Sequence, residues 1–330
     1  MAIRIGQLAD PVGGRPERET DPPNLSTGQL VIWRHTGRRP GQGRAGPALI
    51  SPMSALLSAA ELGTQIGADD LVIIDVRWTL GGPPGRDAFH AGHIPGAHYV
   101  DLDDELAAPP GDGGRHPLPD ADDVGETLRR CGVHADPHVV VYDEKMSMSA
   151  ARAWWVFRNV GVARVSVLNG GLVAWIAGGG ALETGPQDPA AGTFEPSAPR
   201  LAQVDAESAA WIAENGVLLD ARAPERFRGD VEPIDPVAGH IPGAVNAPTT
   251  DNLNADGTFL DRTSLQERFA ALGIDDETVV GCYCGSGVTA AHQLLALEEA
   301  GIDGTLYPGS WSEWVRDPSR PVATGDGSTP

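Results

Sequence analysis

Short runs of branched apolar residues recur along the chain, each closed by a polar or small residue. LVIID lies at 71–75, VVVYD at 139–143, VLLD at 217–220, and VVGCYC at 279–284 continues the series. These runs do not alternate apolar with polar, which is the mark of strands buried on both faces, as in parallel sheets. Between them the apolar spacing changes to a helical period. AARAWWVFRNVG at 150–161 and TAAHQLLALEEAG at 289–301 each form such a segment and end in glycine, a helix stop. Strands alternating with helices predict an α/β fold, in which a mainly parallel sheet is flanked by helices.

The pattern occurs twice. LVIIDVRW at 71–78 matches VLLDARAP at 217–224, AGHIPGAHYVDLD at 91–103 matches AGHIPGAVNAPTT at 238–250, and LNGGLVAW at 168–175 matches YPGSWSEW at 307–314. VVVYD matches the strand that precedes Cys284, and the order is the same in both halves. The copies lie about 145 residues apart, which is too long for a solenoid repeat and right for a duplicated domain. The expected organisation is a first domain over 53–182, a Pro-, Gly- and Ala-rich linker over 183–200 and a second domain over 201–325. Residues 1–52 are rich in Gly, Pro and Arg and lack sustained periodicity. They are expected to be a disordered extension, or a start placed upstream of the true one at Met53. Arg38 and Arg39 resemble a twin-arginine signal but no apolar stretch follows them, which leaves export as a third choice.

Charge and cysteine usage narrow the class of function. The net charge of −21 argues against nucleic-acid binding, because phosphate contacts need Lys and Arg clusters, so no nucleic-acid partner is expected. No apolar run approaches the roughly 20 residues of a membrane span. Three cysteines, Cys131, Cys282 and Cys284, are too few for a disulfide framework, which points to a reducing, cytoplasmic setting. Cys282 and Cys284 lack a second ligand pair at zinc spacing, so neither metal nor other cofactor is expected.

Cys284 stands at the end of a buried strand, before a glycine-serine-glycine loop and a helix. The thiolate is the reactive form of cysteine, and a free thiol is mostly protonated at neutral pH. Gly285 and Gly287 would let the backbone curl so that successive amides face the sulfur, and the helix from Val288 would add its positive end. Ser286 and Thr289 offer hydroxyl donors. Such a cradle favours a thiolate, or a persulfide anion. Cys282 on the strand and Cys131 at a helix end fit the plainer role of small buried apolar residues. Asp143 falls near the place of Cys284 in the first copy, which leaves that half without a nucleophilic thiol.

DVRW and AGHIPGA in the first half, with DAR, RFRG, AGHIPGA, CGSGVTAA and GSWSEW in the second, make the chain resemble the tandem-domain rhodanese family over residues 54–325. Within it the chain is most similar to thiosulfate and 3-mercaptopyruvate sulfurtransferases. The resemblance implies two rhodanese folds with the second catalytic, and a ping-pong transfer in which cysteine takes a sulfane sulfur from a small anionic donor as a persulfide. The sulfur then passes to a thiophilic acceptor, cyanide or a thiol, including that of a thioredoxin-like protein. It implies that Arg226, in ERFRG, binds the donor; Arg228 beside it is a second candidate. It implies a proton relay from Ser286 through His116, in GRHPLP, to Asp103, in VDLDDE. Mercaptopyruvate enzymes carry a further arginine in an EPR-like stretch, where this chain has Ile234 and Asp235, and thiosulfate enzymes carry a basic residue at the position of Ser286. The donor therefore stays open between the two. His93 and His240, which recur in both AGHIPG copies, are expected to be architectural, and Trp311 and Trp314 to pack.

Two other readings use the same residues. Cys-x5-Arg phosphatases share this fold, but the arginine their phosphate loop needs would fall at Ala290. A persulfide carrier or redox sensor would use the Cys284 thiol without turnover.

Overall fold

The computed structural model describes residues 54–187 and 190–327, and the extension expected over 1–52 lies outside the described residues. Five strands, β1 (Leu56–Leu57), β2 (Leu71–Asp75), β3 (Ala97–Tyr99), β4 (His138–Tyr142) and β5 (Arg164–Leu168), form a sheet in the order β1-β5-β4-β2-β3. A second sheet takes β6 (Val217–Asp220), β7 (Val245–Asn246), β8 (Val280–Tyr283) and β9 (Thr305–Leu306) in the order β7-β6-β8-β9. Every pairing in both sheets is parallel. An isolated parallel bridge from Gln203 to Leu306 lies at the edge where the first sheet has β1, so the second sheet repeats the first with its outer strand reduced to one residue pair. The predicted α/β class and its duplication are both found.

The apolar runs are central because each is covered on both faces. β4 is buried along its whole length, as is β8. The helix Met148–Asn159 follows β4, the helix Val288–Ala300 follows β8, and these two pack on one another. Both are apolar nearly all round, as helices enclosed on all sides must be. Trp154, Phe157, Leu295 and Leu297 from them join Val139, Val141, Leu219 and Cys282 from the sheets in one continuous core. Smaller clusters cover the outer face of each sheet, around Phe89 and Tyr142 in the first half and Phe227 and Tyr283 in the second. The two copies thus share a core across their junction.

In the segment over 183–200 the described residues are held at several points. Phe194 is buried, and the amides of Thr193 and Phe194 donate to the Val133 carbonyl. Glu183 forms a bridge with His93. The two AGHIPG histidines do the same structural work. His93 Nδ1 donates to the Phe89 carbonyl and stacks on the Phe89 ring at 3.9 Å, while His240 Nδ1 donates to the Phe227 carbonyl and stacks on Phe227 at 3.7 Å. Among the described residues no helix is long and apolar enough to cross a membrane.

Candidate active site

β8 carries Cys284 to the carboxyl end of its sheet, where the chain turns through Gly285, Ser286 and Gly287 into the thirteen-residue helix Val288–Ala300. That crevice at strand ends is where open α/β sheets bind ligands. The Gly287 amide donates to Cys284 Sγ at 3.1 Å. Gly287 has φ +80°, and a Cβ on it would lie 2.5 Å from the Pro308 carbonyl oxygen, so the turn admits only glycine. Gly285 answers a different need than the expected curl: its φ is not positive, and the space over it is taken by arginine side chains. The Cys284 amide does not face the sulfur either, because it donates to Ser310 Oγ at 3.1 Å. The cradle on the sulfur is therefore the Gly287 amide with the first turn of the helix behind it, in which Val288 is buried and Thr289 half-buried. Cys284 itself is 2% exposed.

Three residues from distant parts of the chain meet at this loop. Ser286 Oγ lies 2.7 Å from His116 Nδ1, and His116 Nε2 lies 3.0 Å from Asp103 Oδ1. The carboxylate fixes the tautomer: Nε2–H donates to Asp103, which leaves Nδ1 to accept the Ser286 hydroxyl. Asp103 sits in the first turn of the short helix Leu102–Glu105, is half exposed, and also accepts from Trp78 Nε1 at 2.8 Å. The chain of hydrogen bonds runs from the thiol loop of the second copy, through the first copy, to solvent. Burial lowers the pKa of His116 below the ordinary imidazole value, with Arg152 and Arg115 adding to the effect and Asp103 opposing it. The imidazole is neutral at pH 7, as a proton acceptor must be.

Cations surround the loop. In the helix Pro224–Arg228, Glu232 holds Arg226 through Nε at 3.2 Å and Nη2 at 2.7 Å, and the Arg226 Nη atoms come within 3.6 and 3.7 Å of the position a Gly285 Cβ would take. Arg228 is not brought there. Two residues on in a helix it faces the other way, pairs with Asp230 at 2.7 Å and lies near Asp326. This corrects its place among the donor-binding residues. Two arginines absent from the sequence reading are present instead. Arg115 Nη2 comes within 3.2 Å of the same Gly285 position. Arg152, wholly buried, donates to the carbonyls of Leu106, His116, Pro117 and Gly287, so it ties the His116 loop to the thiol loop. Burial pushes its pKa down to about 10, which leaves it charged at neutral pH. A lone arginine inside the apolar AARAWW stretch was the available signal for it.

The other thiols are buried, Cys131 at a helix end and Cys282 within β8. Desolvation pushes Cys131 up to about 12 and Cys282 higher, so both stay protonated. Trp311 Nε1 donates to the Val237 carbonyl and Trp314 Nε1 to the Pro321 carbonyl, both rings buried in the outer cluster.

Known proteins carry the same plan. The rhodanese-like domain family matches this chain twice, at residues 58–178 and 205–317. The chain is 50% identical over 275 residues to Mycobacterium tuberculosis SseB, provisionally named a thiosulfate sulfurtransferase, covering 82% of this chain and 97% of that protein. It is 48% identical over 280 residues to a Pseudomonas aeruginosa protein provisionally named a 3-mercaptopyruvate sulfurtransferase, covering 82% of this chain and 98% of that one. The crystal structure of SseA from Escherichia coli, described as a 3-mercaptopyruvate sulfotransferase with the rhodanese fold, superposes with a TM-score of 0.70 at 33% identity, over 79% of this chain and all of SseA. Two matched domains, two parallel sheets and close likeness to named sulfurtransferases agree: the chain belongs to the rhodanese-like family of sulfurtransferases.

Proposed function

We propose that this protein moves a sulfane sulfur from 3-mercaptopyruvate, through a persulfide on Cys284, to a thiophilic acceptor. The observation that carries the choice of donor is the chain Ser286–His116–Asp103. Attack of the Cys284 sulfur on the donor thiol breaks a carbon–sulfur bond, and the electron pair left on carbon must take a proton to become the methyl group of pyruvate. In balance, the cysteine thiol and HS–CH2–CO–COO⁻ give the cysteine persulfide S–SH and CH3–CO–COO⁻. One proton leaves Cys284 and one arrives at carbon, and a neutral His116 behind a serine hydroxyl is suited to carry it. Thiosulfate would expel sulfite, which needs no proton, so the relay would be idle with that donor.

In the second half-reaction the outer sulfur passes to cyanide, giving thiocyanate, or to a thiol. A dithiol protein of the thioredoxin kind would release it as hydrogen sulfide and close its own disulfide, restoring the Cys284 thiol. A cytoplasmic setting fits three free cysteines. Steady-state turnover with cyanide tests the reading, with each donor in turn and with Cys284→Ser and His116→Ala. The expected outcome is preference for 3-mercaptopyruvate, loss with Cys284→Ser, and a His116 effect confined to that donor. Preference for thiosulfate would overturn the donor; no turnover with either would favour the carrier reading.

A further inference from the structure

The proposed donor is an anion, yet the second donor-binding arginine of mercaptopyruvate enzymes is replaced here by Ile234, which is exposed. Arg226 alone would face both the carboxylate and the carbonyl of the donor. The described residues hold another cation at the same spot, delivered from the other copy. Arg115 Nη2 and the two Nη atoms of Arg226 all reach the Gly285 position, at 3.2, 3.6 and 3.7 Å, and Gly285 is the residue next to the nucleophile.

The hydrogen bonds of the two arginines are unevenly spent. Arg226 gives Nε and Nη2 to Glu232, and Nη2 also reaches Asp235 at 3.4 Å; Nη1, beside Gly285, has no partner among the described residues. Arg115 gives Nη1 to Asp235 at 2.7 Å and reaches it only at 3.5 Å with Nη2, while its buried Nε has no partner. Asp235 thus bridges both guanidinium groups on one side. The least engaged of these groups, Arg115 Nη2 and Arg226 Nη1, lie beside the thiol loop at the Gly285 position. The arrangement is also anchored. The Arg115 amide donates to Ser312 Oγ at 3.0 Å, and Ser312 in turn gives its amide to the Gly285 carbonyl at 2.9 Å, so the backbone that carries Arg115 is pinned to the loop it faces. Glu232 is itself held: it pairs with Arg222 and accepts the amides of Ile234 and Asp235.

We infer that Arg115 is the second donor-binding cation, so that a small keto-acid thiol is held across the domain junction by Arg226 from one copy and Arg115 from the other, with Asp235 setting the spacing of the pair. Donor specificity then depends on docking of the 111–117 loop as well as on the catalytic domain. The same paired guanidinium groups suit the planar carboxylate of such a donor, which Arg binds by two parallel hydrogen bonds.

This inference rests on the sulfur-transfer reading, and the test separates the two. In a Cys284→Ser background, which cannot turn over, calorimetric titration with 3-mercaptopyruvate is compared with Arg115 intact and with Arg115→Ala. Binding is expected to weaken about tenfold or more, with part of the loss recovered in Arg115→Lys. With Cys284 present, Arg115→Ala is expected to raise the donor KM by a similar factor, change kcat less than about threefold, and leave discharge of preformed persulfide to cyanide unaltered. If Arg115→Ala binds donor as tightly as its parent while its thermal midpoint falls, Arg115 is only a strut between the copies and the inference is overturned, although sulfur transfer stands. If the unaltered chain turns over neither donor but binding still requires Arg115, the proposed activity falls and the anion site remains. Should Arg115→Ala fail to fold, Arg115→Lys decides, since it keeps a charge for Asp235 and loses the fork: an unchanged donor KM would overturn the inference.

Discussion

The two copies end their central strands in the same way and then set different acceptors at the head of the following helix. After β8, Cys284 is followed by a turn whose left-handed residue is Gly287, and the Gly287 amide donates to the sulfur. After β4, Asp143 is followed by a turn one residue longer whose left-handed residue is Ser147, and the Ser147 amide donates to the Asp143 carboxylate at 2.9 Å. The carboxylate also accepts the amides of Lys145 and Ser149 and the Ser149 hydroxyl. The first copy has closed its anion site with an acid of its own. The second places a thiol there instead. Burial raises the pKa of Asp143, and the hydrogen bonds it accepts pull against that rise. The likeness of the two nests supports the view that the fold supplies an anion cradle, and that chemistry enters only where the occupant is a sulfur.

The sharpest way to break that comparison is to exchange the sulfur. Cys284→Ser keeps the shape and loses the nucleophile, and turnover with cyanide is expected to fall by about a thousandfold or more with the fold intact. Surviving activity would show the second nest to be as structural as the first. The next largest effect is expected at His116, which reaches from the first copy to the serine of the thiol loop in the second. His116→Ala should lower kcat with 3-mercaptopyruvate about a hundredfold and spare thiosulfate. The sign of its pH dependence follows from burial. The folded imidazole has a lowered pKa, so the neutral base persists below pH 6.5, and the acid limb of mercaptopyruvate turnover should lie below that value. A limb above pH 6.5 would mean that another group titrates. The same direction holds for stability, because His98, His138, His240 and His292 are also lowered by burial. The unfolded chain takes up protons near pH 6.5 that the folded chain refuses, so stability is expected to be full above that pH and to fall as the pH drops through it. Thermal melts between pH 7.5 and 5 would check this.

The strands, the central helices and the duplication were legible because burial on both faces leaves a continuous apolar signature, and Cys284 because a glycine loop after a strand has little other purpose. β7 and β9 were not, since two residues carry no period. Ser286 is legible as a hydroxyl beside the thiol, but its relay through His116 to Asp103 comes only from resemblance: periodicity says nothing about which loops of two domains face one another. Arg115 was invisible for that reason, although it adjoins His116. Arg228 adjoins Arg226 in sequence but not in space, because residues two apart in a helix point to different sides.

A medium effect is expected in the first nest. Asp143→Asn keeps the volume but turns an NH2 group toward amides that donate, so at least one buried N–H loses its acceptor, at a cost of about 2 kcal/mol of stability. Activity of the folded fraction should be unchanged, because among the described residues no hydrogen bond joins the first nest to the thiol loop. Denaturant melts with turnover measured in parallel separate the two quantities, and a loss of turnover without loss of stability would mean that the first nest does more than close itself.

The smallest and most specific effect concerns one position that the repeat itself marks. Gly171 in LNGGLVAW aligns with Ser310 in YPGSWSEW, and both are left-handed, at φ +59° and +54°. A serine tolerates that strain because its hydroxyl accepts the Cys284 amide and donates to the Tyr307 carbonyl. The counterpart in the first copy cannot do so, since a Cβ at Gly171 would lie 2.5 Å from the Asp143 carbonyl oxygen. Ser310→Gly removes the hydroxyl and the strain together, whereas Ser310→Ala removes the hydroxyl and keeps the strain. Ser310→Ala should therefore be the less stable of the two by about 1 kcal/mol. Gly171→Ser should destabilise more than either, as its side chain meets backbone. Equal stability of the two Ser310 variants would mean that the left-handed backbone there carries no strain, and the hydroxyl would then be held for the Cys284 amide alone.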